Sequence, residues 1–308
     1  MQKLIKNLTI FLLPLLIILG LVELKSRLNN TFYAKKEYID YNKDSLEVLI
    51  LGSSQTWRAI NPKFIKSKCA PLAHGGSALN IDYLLLRKYI KELPLLKVVL
   101  IETSYHTLEN YCDSSWNKNH LFYIYYDINN YNSEPPMKDN LLITANFSQY
   151  FKKFWTNNIF PEFGKYNKYG FITSAIDNLD VGKYDSLFLA KRHCEENIVL
   201  FKKNARILDE MINICLQHDI SVILFSPPKH FNYNKNNVLN KLKRRNATLK
   251  KYENVVGIHI LNLENKYEDN IDIFYNEDHL NVYGAEKVSR IVDSLTNKII
   301  NENIINNN

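Results

Sequence analysis

LEVLILGSS, residues 46–54, decides the fold. Val48 to Leu51 form a short apolar run that ends in Gly52 and two serines. Such a run, closed by a glycine turn, predicts a buried parallel strand entering a strand-to-helix turn. The pattern recurs in LKVVLIETS (96–104), in SVILFSPP (221–228), which proline stops, and in VVGIHILNL (255–263). A second apolar-to-glycine passage lies at APLAHGGS (70–77). Between these runs the helical period takes over. IDYLLLRKYIKEL from Ile81 has helical spacing, and residues 193–217 place Ile198, Phe201, Ala205, Leu208, Ile212 and Cys215 on one face. Residues 282–300 read as a closing helix. Strands alternating with helices predict an α/β fold, a three-layer doubly wound parallel sheet of the flavodoxin-like kind with right-handed crossovers. Ligands in such sheets sit at the carboxyl ends of the strands, and LILGSS, IETS and FSPP carry their polar residues there.

Residues from about 105 to 191 break this rhythm. They are dense in aromatics, as in FYIYYDINNY (122–131) and FSQYFKKFW (147–155). So long a segment between two sheet strands predicts a helical insertion packed as a cap beside the site. Its aromatics read as the core of that cap, or alternatively as a sugar-stacking surface.

The amino-terminal stretch NLTIFLLPLLIILGLVE (7–23) has another character. Leu8 to Leu24 carries a single charge, Glu23. Seventeen residues at a helical rise span about 25 Å, near the lower limit for crossing a bilayer. Lys3 and Lys6 precede it, so the positive-inside bias places the N-terminus in the cytoplasm and the remainder outside. No small-x-small cleavage site follows, which favours an uncleaved anchor over a cleaved signal. The expected organisation is a transmembrane signal anchor at 1–27, a polar tether at 28–44 and a main α/β domain at 45–303 with its cap insertion at about 105–191. The tail, 304–308, is expected to be disordered.

Composition excludes several classes. Hydrophobic residues at 46% and charged residues at 23% are those of a globular protein, which excludes general disorder. Cys69, Cys112, Cys194 and Cys215 show neither a disulfide framework nor zinc-ligand spacing. The net charge of +7 is local. Eight of the 39 Lys and Arg residues lie between Pro228 and Tyr252, leaving 31 to face 32 Asp and Glu elsewhere. A nucleic-acid surface needs a broader footprint. The segment, including Lys241, Lys243, Arg244 and Arg245, reads as a solvated helix face or as a contact for an anionic surface.

Two turns carry chemistry. Ser54 ends the first strand, where a strand-to-helix turn exposes a hydroxyl and aims free amides outward. FYNEDHLNVYGAEKV (274–288) places His279 in a loop at the same sheet edge. A serine hydroxyl is a weak nucleophile without a base, and a Ser–His pair supplies one.

LILGSSQTWRAINP (49–62), LAHGGSALN (72–80) and DHLNVYGAEKVS (278–289) together resemble the SGNH/GDSL hydrolase family, in its membrane-anchored bacterial branch. That branch includes D-alanine-transfer and alginate O-acetylation proteins. The resemblance covers residues 46–104 and 218–300 and leaves out the aromatic insertion. It implies that Gly52-Ser53-Ser54 stands where the family has Gly-Asp-Ser, with Ser54 the nucleophile and Ser53 in place of the usual Asp. His279 matches the base. The amides of Ser54 and Gly76 would hold the oxyanion. The family's acid stands three residues before the base, and here that position is Asn276; Asp278 is adjacent to His279. Either Asp278 orients the imidazole, or Asn276 does so weakly, or the pair works as a dyad. The third-block Gly-x-Asn-Asp is absent, and Ser104, Tyr105 and His106 lie near its place.

The implied function is a serine acyl esterase or O-acyltransferase acting on esters of a cell-envelope glycan, with no metal or organic cofactor. The implied site is a single-pass protein of the bacterial cytoplasmic membrane with an outer catalytic domain. The rivals are a non-catalytic envelope protein binding polysaccharide or an assembly partner, and a hydrolase of membrane lipids.

Overall fold

The computed structural model describes residues 1–155, 164–180 and 193–306. Five strands, β1 (Val48–Ile50), β2 (Cys69–Pro71), β3 (Val98–Glu102), β4 (Ser221–Ser226) and β5 (Ile258–Asn262), form one parallel sheet in the order β2-β1-β3-β4-β5. Val48 pairs with Cys69 on one side and with Val98 on the other. The order therefore reverses at β1, the switch point at which open α/β sheets hold ligands. A two-stranded antiparallel hairpin, β6 (Phe274–Asn276) and β7 (His279–Leu280), stands apart from the sheet.

The principal helices, in chain order, are α1 (Gln2–Leu28), α2 (Thr31–Asn42), α3 (Ser54–Ala59), α4 (Leu79–Glu92) and α5 (Asn119–Tyr126). They continue with α6 (Leu142–Ala145), α7 (Phe147–Trp155), α8 (Ile198–Gln217), α9 (Leu239–Lys250) and α10 (Val282–Asn306). Strand alternation sorts the sheet's two faces. Leu49, Val99, Ile101, Val222 and Leu224 pack with Leu85 and Leu86 of α4 and with Leu208, Met211 and Ile212 of α8. Val48, Ile50, Leu100, Ile223 and Phe225 pack with Trp57 of α3 and with Val288 and Val292 of α10. This is the three-layer α/β sandwich that the strand and helix periods predict. Cys215 is buried on the inner face of α8, but Ile198, expected on that face, is exposed.

Residues 28–44 are not an extended tether. Thr31–Asn42 is helix α2, capped by Asn30, whose Oδ1 accepts from the Tyr33 amide at 2.9 Å. Phe32 and Ile39, two turns apart, join the core, and Phe32 stacks on His74 with centroids 4.0 Å apart. Lys35 is also buried, its ammonium donating to the carbonyl of Ala73. The polarity of the stretch conceals a buried stripe that carries a lysine. At the other end, α10 runs through Asn306, so residues 304–306 are helical rather than a loose tail.

The described parts of the insertion cover both faces. Phe122, Tyr126 and Tyr150 are buried with α2, as core aromatics. Ile172, Ala175 and Leu179 pack on the α3–α10 side, where Trp57 Nε1 donates to the Gly170 carbonyl at 2.9 Å. The parts of the expected cap at 156–163 and 181–192 lie outside the described residues.

The basic segment turns partly inward, with Lys229, Lys241 and Arg245 buried and Lys235, Lys243, Lys250 and Lys251 exposed. Lys241 is buried and donates to the carbonyls of His193 and Glu195 at 2.7 and 3.0 Å. Arg245 is buried against Glu264, and Arg244 bridges Glu109 and Glu196 at 2.7 and 2.8 Å. Of the four, Lys243 is exposed and Arg244 is partly exposed.

Candidate active site

The turn after β1 is shaped by a carboxylate from the neighbouring strand. Glu102, the last residue of β3, is 1% exposed. Its Oε2 accepts from the Ser53 amide at 2.7 Å and from Thr56 Oγ1 at 2.8 Å, and more weakly from the Thr56 amide at 3.4 Å. The Ser53 hydroxyl donates to the same carboxylate at 2.9 Å and in turn accepts from the Gln55 amide at 3.2 Å. Gly52 has φ +143°, and a Cβ there would stand 2.7 Å from Glu102 Oε2. Glycine is thus required both by the backbone and by the approaching acid. Ser54 opens α3, half-exposed, with its amide the unclaimed donor of this first turn.

His279 arrives on the hairpin. β6 and β7 are joined by two residues, Glu277 and Asp278, and the pairing sets Asn276 opposite His279. His279 Nε2 lies 2.8 Å from Ser54 Oγ, although 225 residues separate them. Its Nδ1 lies 3.0 Å from Asn276 Oδ1 and 2.9 Å from Asp278 Oδ1. Both neighbours of Nδ1 are acceptors, so Nδ1 carries the proton and Nε2 is left to accept from the serine hydroxyl. The contact with Asn276 has hydrogen-bond alignment; that with Asp278 is short but misaligned. Asn276 Oδ1 also accepts from the Asp278 amide at 3.2 Å, tightening the turn. The i−3 relation is therefore a cross-strand pair.

The loops after β1 and β2 meet at this edge of the sheet. The loop after β2 is tied to the loop after β1 by the His74 amide, which donates to the Gly52 carbonyl at 2.9 Å. Gly76, with φ +76°, is exposed in that loop. Among the described residues, the amides of Ser54, Gly75 and Gly76 donate to no protein group.

The stretch in place of the third block supplies no such donor at Ser104 or Tyr105. Ser104 is fully buried against Lys229, 3.4 Å away. The Tyr105 amide donates to Glu264 at 2.9 Å, and its phenol oxygen accepts from the Val238 amide at 2.8 Å. His106 sits 3.8 Å from Glu102 Oε1 and stacks on His193 at 4.3 Å. Burial, reinforced by Lys229, holds this imidazole neutral, its pKa pushed down to about 3. Asp82 lies beside the same turn. Burial, and then the charge of Glu102, push its carboxyl well above the ordinary range.

Sequence reading missed Glu102. The signal was present, because an acid closing the otherwise apolar run VVLIE of a central strand must find buried donors. Among the described residues no three His, Cys, Asp or Glu side chains converge as a metal would require, and all four cysteines are free thiols. A cavity of about 800 Å³ lies away from Ser54 between β5 and α10, lined by His259, Leu261, Ile291 and Leu295 among others.

No family model matches the chain, and no curated protein matches it. Among solved structures, a Bacteroides fragilis protein designated an acylhydrolase superposes with a TM-score of 0.41 at 13% identity. The superposition covers 86% of this chain and 96% of that one.

Proposed function

We propose that this chain is an SGNH-type serine acyl esterase or O-acyltransferase acting on esters of a cell-envelope glycan. The observation that carries the reading is the 2.8 Å contact between Ser54 Oγ and His279 Nε2, with acceptors fixing the opposite ring nitrogen. Ser54 Oγ attacks the ester carbonyl while its proton passes to His279 Nε2. The tetrahedral oxyanion is met by the free amides of Ser54 and of Gly75 or Gly76, donors that act where charge develops. Collapse expels the alcohol, which takes the proton from His279 and leaves the acyl group on Ser54. Water or a sugar hydroxyl, deprotonated by the same imidazole, then releases it.

Asp278 is 3% exposed and its carboxylate faces the imidazolium that forms. A second reading, a glycan-binding or assembly protein without turnover, is favoured by Asn276 holding the aligned hydrogen bond to Nδ1 in place of an acid. A fluorophosphonate probe separates the two. The full chain should label at one serine, Ser54→Ala should abolish labelling, and His279→Ala should slow it at least about a hundredfold. A folded wild-type chain that fails to label supports the binding protein.

We also read α1 as a single-pass anchor in the bacterial cytoplasmic membrane, with the domain outside. The helix is long and apolar enough to cross a membrane, and Lys3 and Lys6 precede its apolar run. A reporter fused after Asn308 that works only in the cytoplasm overturns this orientation.

A further inference from the structure

The anchor and the domain are one body. Along α1, Val22 and Ser26 are buried, while Leu19, Glu23 and Arg27 are partly buried, a stripe with helical spacing that faces the insertion. The Glu23 carboxylate accepts from the amides of Leu142 and Ile143 at 3.0 and 2.9 Å, the first turn of α6. Arg27 pairs with Glu23 at 2.5 Å and donates to the Asn140 carbonyl at 2.6 Å. The Tyr125 hydroxyl donates to the carbonyl of Arg27 at 2.9 Å. No flexible joint separates the apolar helix from the fold.

Length then brings the fold to the bilayer. A hydrocarbon core of about 30 Å takes about 20 helical residues. Counted from Leu8, the first apolar position past Lys6, such a span ends near Arg27, inside the segment that grips α6. A domain fixed to that segment cannot stand clear of the membrane. The surface beside it agrees. The outer face of α1 stays apolar beyond Glu23, with Leu24 and Leu28 exposed. Leu141 precedes the residue whose amide Glu23 holds. Phe147 opens α7, which packs along α1, and Met137 lies in the turn before α6. All three are large, apolar and exposed, Met137 at 88%. Lys25, Lys138 and Lys152 are exposed around them, as at a headgroup boundary.

We propose that Met137, Leu141 and Phe147, continuous with Leu24 and Leu28 of the anchor, form a rim sunk into the acyl-chain boundary of the bilayer. The domain thus rides on the lipid surface in one orientation. The inference rests on α1 being a membrane anchor.

The test uses the full chain in phosphatidylethanolamine–phosphatidylglycerol vesicles, with single additional cysteines at Phe11, Leu141, Phe147 and Val256, each carrying a nitrobenzoxadiazole label. The unaltered chain, with its own four thiols, sets the background. Lipids brominated in the acyl chain should quench the labels of Phe11→Cys, Leu141→Cys and Phe147→Cys by at least half. Val256→Cys, 92% exposed beside the opposite sheet edge, should lose less than a tenth. Quenching at 11 without quenching at 141 and 147 overturns the rim and leaves the anchor intact. No quenching at 11 overturns the anchor itself. An intermolecular disulfide of unlabelled Phe147→Cys, with its label unquenched, would show that a second copy covers the patch and also overturns the rim.

Discussion

Glu102 Oε2 accepts the amide proton of Ser53 at 2.7 Å, so the residue before the proposed nucleophile is pinned by the end of the neighbouring strand. With Thr56 held by the same oxygen, the neighbouring amides of this turn are occupied, and among the described residues the Ser54 amide donates to no protein group. Glu102→Gln would present an NH₂ group to these donors. It should lower the acylation rate about tenfold or more with little change in KM, because a misaligned turn loses transition-state rather than ground-state contacts. Single-turnover kinetics with an activated ester check this. Equal losses in the rate and in thermal stability would reduce Glu102 to a structural role.

Asp278→Ala should slow acylation more than Asn276→Ala, because only the carboxylate offsets the charge of the imidazolium. Asn276→Asp should be tolerated. The added charge stabilises the protonated ring and should move the acid limb of the pH–rate profile to higher pH. A crippling Asn276→Ala beside a silent Asp278→Ala would assign the orienting role to Asn276.

Asp82 gives a pH signature. Its pKa is raised by burial and by Glu102, so the folded state binds its proton more tightly than the unfolded state does. The stability this provides is present below the ordinary carboxylate pKa and is lost as pH rises toward the folded value. Asp82→Asn removes the titration. Its stability relative to wild type should therefore rise between pH 4 and pH 8, as read from urea unfolding at several pH values. A constant difference across that range would refute a shifted Asp82.

Arg244 and Lys243 are neighbours with opposite expected outcomes. Arg244 pairs with Glu109, whose side chain is 2% exposed, so Arg244→Gln strands a buried acid and should cost at least about 2 kcal/mol. Lys243 is exposed, and Lys243→Gln should be silent. Chemical denaturation of both variants decides the matter.

Helix α2 makes a prediction about boundaries. Phe32 is fully buried among His74, Phe122 and Tyr126, and Phe32→Ala should cost about 3–5 kcal/mol. A chain beginning at residue 45 would leave that aromatic cluster open and should aggregate on size-exclusion chromatography. A monodisperse, fully folded product would restore the tether.

What the sequence revealed follows physical lines. β1, β3 and β4 were legible because a central parallel strand is apolar on both faces, and their boundaries nearly match the apolar runs. Ser54 and His279 were legible because each lies in a polar break at the carboxyl edge. Helix α2 was not, because Lys35 and Thr31 are buried beside Phe32, and buried polar residues erase the apolar period. The choice between Asn276 and Asp278 was not legible either. It depends on a two-residue hairpin that sets Asn276 across from His279 while leaving Asp278 in reach. The ion pairs of Arg244 and Arg245 were not legible, because local charge density does not reveal that Glu109, Glu196 and Glu264 come from elsewhere in the chain to meet them.

The distance in sequence between Ser54 and His279 has a consequence for timing. A chain synthesised from its amino terminus presents the serine long before its base. Until the hairpin after β5 has formed and α10 has seated it, Ser54 has no group to take its proton. Under the proposed reading a nascent chain is thus chemically silent, and competence arrives in one step with α10.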